Sequence, residues 1–386
     1  MRFELATAGR IVFGAGAVAD LPAIARTFGA RAVVVTGRDA RRHASQIDAL
    51  RAAGLTCATF QTPGEPTVDR VRDGAAHARA HAADLVIAIG GGSAIDAGKA
   101  IAALATNPGD VLDYLEVVGR GQPLTVAPLP LIAVTTTAGT GAEVTRNAVL
   151  GVPERRVKAS LRSVMMLPRV ALVDPDLTLD LPPAITASTG LDALTQLIEP
   201  YVSSRANPVV DALCLDGMAR AAGAIRRVYA DGHDREARGA MSLASLLSGF
   251  ALANAGLGAV HGFAAPIGGR VDAPHGAICA ALLPHVCAAN LRALEARAPD
   301  HPARRRYEII ARTLTGRPDA TADDGVVWLR ALVEDLRIPP LRTYGLGESD
   351  VDTLVEQASR ASSMKANPIV LTDEELRDVM VAVLGF

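Results

Sequence analysis

DLVIAIGGGSAIDAGKA, residues 84–100, reads as a strand, a glycine turn and the start of a helix. LVIAI is apolar and partly β-branched, without the alternation of a half-exposed strand. It therefore reads as a strand covered on both faces, as in a parallel sheet. Gly90, Gly91 and Gly92 let backbone N–H groups approach a phosphate without a Cβ in the way. The helix that follows adds its unpaired N-terminal donors and the positive end of its dipole. The other reading is a plain strand-to-helix turn. Ser93 and Asp96 have capping-box spacing, which predicts the helix start at that point. The run is neither a GxGxxG nor a Walker A sequence.

Working outward, AVVVT (32–36), TCATF (56–60) and LIAVTT (131–136) read as further strands. Segments 40–53, 67–82 and 94–105 between them read as helices. Alternation of this kind implies βαβ units. FGAGAVADL (13–21) reads as a structural turn before a helix. VALVDPDLTLDLPPAITASTG (170–190) holds the last clear strand and then a proline-rich break. Beyond it the spacing is helical over 184–203, 207–229, 234–256, 276–294, 304–315, 322–336, 349–360 and 373–384. The expected organisation is an α/β domain with a parallel sheet over 1–178, its glycine turn suited to a dinucleotide, and an all-helical domain over 179–386.

The 386 residues are 49% hydrophobic and 21% charged, with a net charge of −2. Nothing in that balance favours nucleic acid or an anionic membrane surface. The apolar runs are broken by glycine, proline or charge, and MRFELATAGRIVFG lacks the apolar centre of a signal peptide. A cytoplasmic location is expected. Cys57, Cys214, Cys279 and Cys287 show no CxxC spacing and read as buried small hydrophobes, which argues against a cysteine-ligated zinc.

Two groups of residues carry chemistry. In TTTAGTGAEVT (135–145), the hydroxyls of Thr135, Thr136, Thr137 and Thr140 gather at a strand's C-terminal end, where open α/β sheets bind ligands. A threonine loop bonding its own backbone is the other reading. In GLDALTQLIEP, Asp192 and Gln196 lie four apart and project from one helix face. His261 and His275 follow in AVHGFAAPIGGRVDAPHGA. Carboxylate and imidazole donors suit Fe²⁺ or Zn²⁺; histidines satisfied within a core are the alternative.

The chain resembles the iron-containing (group III) alcohol dehydrogenase family. The resemblance rests on GRIVFGAGAVADL, GGGSAIDAGKA, TTAGTGAEVT, DPDLT, GLDALTQLIEPYVS, VHGFAAPIGG, PHGAICAALLPHV and ANPIVLTDEEL, in that order along nearly the whole length. It implies the dehydroquinate synthase-like fold, with an active site in the cleft between two domains. It also implies NAD or NADP as cofactor, and iron or sometimes zinc as metal. Carried over by position, Gly91, Gly92 and Ser93 hold the pyrophosphate. Asp96, Thr135, Thr136 and Thr140 line the cofactor path, and Lys158 meets the ribose region. Asp192, His261 and His275 match three of the four metal ligands and are the expected catalytic residues.

Three positions depart from the family pattern. Gln196 stands where a histidine ligand is usual, and its carbonyl oxygen is a weaker donor. Ala265 replaces a histidine near the nicotinamide. Gly37 ends the VVVT strand without the acid that binds a ribose 2′-hydroxyl, while Arg38, Arg41 and Arg42 can reach a 2′-phosphate, so NADP is expected. The implied reaction is hydride transfer between an alcohol and a nicotinamide, with the metal as Lewis acid and a homodimer as the assembly. Two other readings remain: a metal-independent oxo-acid reductase resembling maleylacetate reductases, and a non-catalytic nucleotide-binding protein.

Overall fold

The structure, a computed structural model, describes residues 2–155 and 157–385. Contacts divide it into two compact units. The α/β unit comprises Ala6–Thr137 and Gly141–Thr178. The helical unit runs from Leu179 onward and takes in Ala138–Thr140 and the N-terminal residues up to Leu5.

In the α/β unit the elements are β1 (Ile11–Phe13), α1 (Leu21–Arg26), β2 (Arg31–Thr36), α2 (Ala44–Ala52), β3 (Thr56–Gln61), α3 (Val68–Ala80), β4 (Leu85–Gly90), α4 (Gly92–Thr106), α5 (Val111–Tyr114), β5 (Leu131–Thr135), β6 (Asn147–Val152), β7 (Val157–Arg162) and β8 (Val170–Val173). Among the described residues, six strands form a parallel sheet in the order β1-β8-β5-β4-β2-β3. Every residue of β4 and of β5 is buried, as continuous apolar runs require. From β2 the chain goes outward to β3, then returns across β2 to β4. The strand order reverses there, so the carboxyl ends of β2 and β4 flank a switch point. Gly98 brings α4 against β4: a Cβ on it would stand 2.7 Å from that of Ala88.

The turn after β1 is structural. Asp174, at the end of β8, accepts hydrogen bonds from the N–H groups of Gly16 and Val18, each at 3.0 Å. This accounts for FGAG and DPDLT without a ligand. The antiparallel hairpin of β6 and β7 falls outside the sequence reading. Its inward side chains, Ala148, Leu150, Val152, Ala159 and Leu161, include two alanines and make a weak pattern.

The helical unit contains α6 (Pro183–Val202), α7 (Pro208–Ala230), α8 (Arg235–Ala255), α9 (Ala259–Arg270), α10 (His275–Arg297), α11 (Ala303–Thr315), α12 (Ala322–Asp335), α13 (Val351–Ser359) and α14 (Asp373–Leu384). One hydrophobic cluster runs through it, centred on α6, α7, α8 and α10. Most of α6 is buried from Thr186 onward, so its polar residues are placed at a cost that demands partners. By length and composition α10 could cross a membrane, but 72% of its most apolar window is buried within the protein.

Candidate active site

Asp192 and Gln196 lie on α6, His261 in the first turn of α9, and His275 at the first position of α10. The last two elements start where they do for local reasons. Gly258 precedes α9, whose first N–H groups are taken by side chains from elsewhere: Ala259 donates to Asn367 Oδ1 at 3.1 Å and Val260 to Glu199 Oε1 at 2.7 Å. Pro274 precedes α10 and ends the incoming segment in extended conformation. Gly276 lets α10 close on α6. A Cβ there would fall 2.2 Å from the Ser188 carbonyl oxygen and 3.3 Å from the Asp192 Cβ.

These constraints bring the predicted ligands together. His261 Nε2 is 3.5 Å, and His275 Nε2 3.8 Å, from the same Asp192 oxygen, Oδ1. Asp192, Gln196 and His261 are buried, and the His275 side chain is 35% exposed. Burial by itself raises a carboxyl pKa, but the imidazoles of His275 and His261 and the Gln196 amide outweigh it, holding Asp192 below the usual range. Burial works against protonating His275, yet its interactions with Cys279 and Asp192 push it up to about 9. The site attracts positive charge.

Glu199 was not singled out by sequence reading. Its Oε2 lies 2.6 Å from His261 Nδ1, deep in the helical core. Glu199 thereby fixes the ring orientation through Nδ1, and Nε2 is the nitrogen left facing Asp192. The available signal was spacing: Glu199 follows Asp192 by two helical turns, on the same face. Cys279 was read as a buried small hydrophobe; it is buried in the helical core, and the structure adds where its sulfur points. Its Sγ is 3.6 Å from His275 Nε2 and 3.8 Å from His261 Nε2. His275 and Cys279 are four apart in one helix, a spacing that places both on one face.

The cluster fits a divalent cation. Ligand atoms of Asp192, His261, His275 and Cys279 all lie within 4.8 Å of one another. Asp192 Oδ1 and Gln196 Oε1 are buried without a hydrogen-bond partner among the described residues. Buried oxygens of this kind need a compensating charge or donor. Ala265, one turn beyond His261, is exposed.

In the α/β unit the predicted cofactor residues converge on the switch point. Gly37 follows β2, and Gly90 at the end of β4 pairs with Thr135 at the end of β5. A Cβ on Gly91 would meet the Thr137 side chain at 3.1 Å. The helix start differs from expectation: α4 begins at Gly92, with Gly91 as cap and no side-chain cap bond among the described residues. Asp96 is not a capping residue. Its carboxylate accepts from the Val149 N–H at 3.0 Å and approaches Lys99 Nζ at 3.5 Å. The absence of a side-chain cap keeps the first N–H groups of α4 available to a phosphate.

Other predicted residues have local partners. The Thr135 hydroxyl donates to the Thr137 carbonyl at 3.0 Å, so this threonine does bond its own loop. Thr136 follows directly, its N–H bonded to the Gly90 carbonyl. Thr140 belongs to the helical unit, not to the α/β unit with Thr135 and Thr136. Lys158 pairs with Glu65 at 2.5 Å. Near Gly37, Asp39 binds the Arg41 guanidinium at 2.8 and 2.9 Å, an acid that the sequence reading did not weigh. Sequence reading also passed over Lys99, fully buried and bonded to Thr145 and Asn147, and Glu143 nearby, whose carboxyl is pushed up to about 7 by burial.

Comparison with known proteins agrees with this geometry. Residues 8–175 match the iron-containing alcohol dehydrogenase family profile, and 186–384 match its C-terminal counterpart. A 1,3-propanediol dehydrogenase from Klebsiella pneumoniae is 38% identical over 330 residues, covering 85% of this chain and 83% of that protein. An NAD-dependent methanol dehydrogenase from Bacillus methanolicus is 34% identical over 378 residues, 96% of each. The crystal structure of a 1,3-propanediol oxidoreductase superposes with a TM-score of 0.92 at 34% identity, covering 99% of this chain and 100% of that one.

Proposed function

The chain belongs to the iron-containing alcohol dehydrogenase family, and from that premise we propose that it interconverts a small alcohol and its aldehyde or ketone, using a nicotinamide cofactor and a divalent metal. The observation that carries this reading is the convergence of Asp192, His261 and His275 on one buried point. Bound there, the metal supplies Lewis-acid polarisation of the substrate oxygen, and the nicotinamide supplies the hydride chemistry. The protein's part is positioning. Glu199 holds His261 Nδ1–H so that Nε2 faces inward. Gly276 sets His275 beside Asp192. Gly91, Gly92 and Ser93 offer the N-terminal donors of α4 to the pyrophosphate.

NAD is the cofactor of the Bacillus methanolicus relative. Use of NADP as well is supported by Gly37, which puts no acid directly at the end of β2, and by exposed Arg38 and Arg42; Asp39 is occupied by Arg41. The ratio of kcat/KM for NADPH and NADH measures this directly. Iron is the family's metal, and the ligand types also accommodate zinc.

The test is NADH and NADPH oxidation against a panel of aldehydes and oxo-acids. It is run on chelated protein with Fe²⁺, Zn²⁺ or nothing restored. Activity should return with metal, and Asp192→Ala should lose it by at least about a thousandfold. Full turnover in chelated protein would replace this reading with a metal-independent reductase.

A further inference from the structure

We propose that Cys279 is a metal ligand, so that the site is a carboxylate, two imidazoles and a thiolate, with the thiolate biasing it towards zinc over iron. The proposal rests on the reading of this cluster as a metal site and adds a donor to it. Three observations carry it. The Sγ atom stands 3.6 Å from His275 Nε2 and 3.8 Å from His261 Nε2. A single thiol proton cannot serve two imidazole nitrogens at once. Both distances are close to the separation of about 3.6 Å between sulfur and nitrogen donors around one tetrahedral ion, given bonds of about 2.3 and 2.1 Å. The Asp192 distances of 3.5 and 3.8 Å compare in the same way with about 3.4 Å for oxygen and nitrogen donors.

The second observation is Glu199. By taking His261 Nδ1–H at 2.6 Å it commits Nε2 to the cluster, the nitrogen that Sγ also faces. The third is Gln196. An amide oxygen is a poor donor for these ions, and the Gln196 amide bonds to the Asp192 carboxylate, so it is tied to a ligand. Cys279 is fully buried at the second turn of α10, four residues after His275, and needs no movement of the backbone to share an ion with it. On binding, the thiol proton leaves to solvent and the sulfur coordinates as thiolate. Thiolate favours zinc among the available divalent ions, whereas an oxygen and nitrogen set does not discriminate as strongly.

The experiment is cobalt(II) substitution of the chelated full-length protein, read by absorption. Cobalt bound by the wild type should show a thiolate-to-cobalt charge-transfer band in the near ultraviolet. In Cys279→Ser the band should vanish while cobalt still binds, and in Gln196→Leu it should persist. Competition should show Cys279→Ser losing zinc affinity by about tenfold relative to iron(II). Cobalt bound without the band in wild type, or a band retained in Cys279→Ser, overturns the proposal and leaves the metal reading intact. Failure of wild type to bind cobalt at the level lost in Asp192→Ala overturns both. If Cys279→Ser does not fold, Cys279→Ala, followed by circular dichroism, provides the same spectroscopic comparison.

Discussion

Glu199 touches no predicted ligand atom that faces the cluster, yet it controls one. Its two oxygens bind His261 Nδ1 and the Val260 N–H, so a single carboxylate orients both the ring and the start of the helix that carries it. Glu199→Gln keeps the shape and removes the charge that makes Nε2 a stronger donor. Metal affinity should fall by about 10–100-fold with the fold intact. Competition with a chromophoric chelator measures this, and unchanged affinity would reduce Glu199 to a helix cap. At this scale Asp192, His261 and His275 were legible because acids and imidazoles set among glycines and prolines are conspicuous. Glu199 and Cys279 were not, because a carboxylate inside an amphipathic pattern and a cysteine inside an alanine-rich helix look like ordinary core and surface choices.

Helices α6, α9 and α10 each contribute to the cluster, and their approach is governed by small residues. The tightest is Gly276, where a Cβ would overlap the Ser188 carbonyl at 2.2 Å. That contact is with backbone, which cannot rotate away. Gly276→Ala should therefore push α10 from α6, destabilise the protein by about 1–3 kcal/mol, and separate His275 from Asp192. Thermal melting and metal stoichiometry together check this; a variant that melts normally with full metal would place the constraint elsewhere. Helix α9 was not foreseen. Its GLGAVHGFAAPIGG sequence is rich in glycine and contains Pro266, features that normally break helices, and it forms because Glu199 and Asn367 satisfy its first donors. The other long helices and the parallel strands except the three-residue β1 were legible because periodicity over many residues survives local exceptions.

Each unit has its own hydrophobic clusters: one fills the helices, and three others line the sheet and its flanking helices. The proposed metal ligands all belong to the helical unit, whereas the glycine turn belongs to the α/β unit. Metal should therefore raise the melting of one calorimetric transition and NADH that of another, each by about 2.7 kcal/mol at a hundredfold excess over its Kd. One transition moved equally by both ligands would contradict this. Legible in the sequence alone were the class of each half, the strand that feeds GGGS, and the three residues Asp192, His261 and His275 that the helical unit brings together, because alternating periods and reactive side chains are local properties. Tertiary structure alone decided that β2 and β4 meet at a reversal of strand order, that Asp96 faces Val149 and not its own helix start, and that Cys279 stands between two imidazoles. Those facts depend on which distant segments pack together, and packing is settled by the shapes of whole elements, not by the residues read one after another.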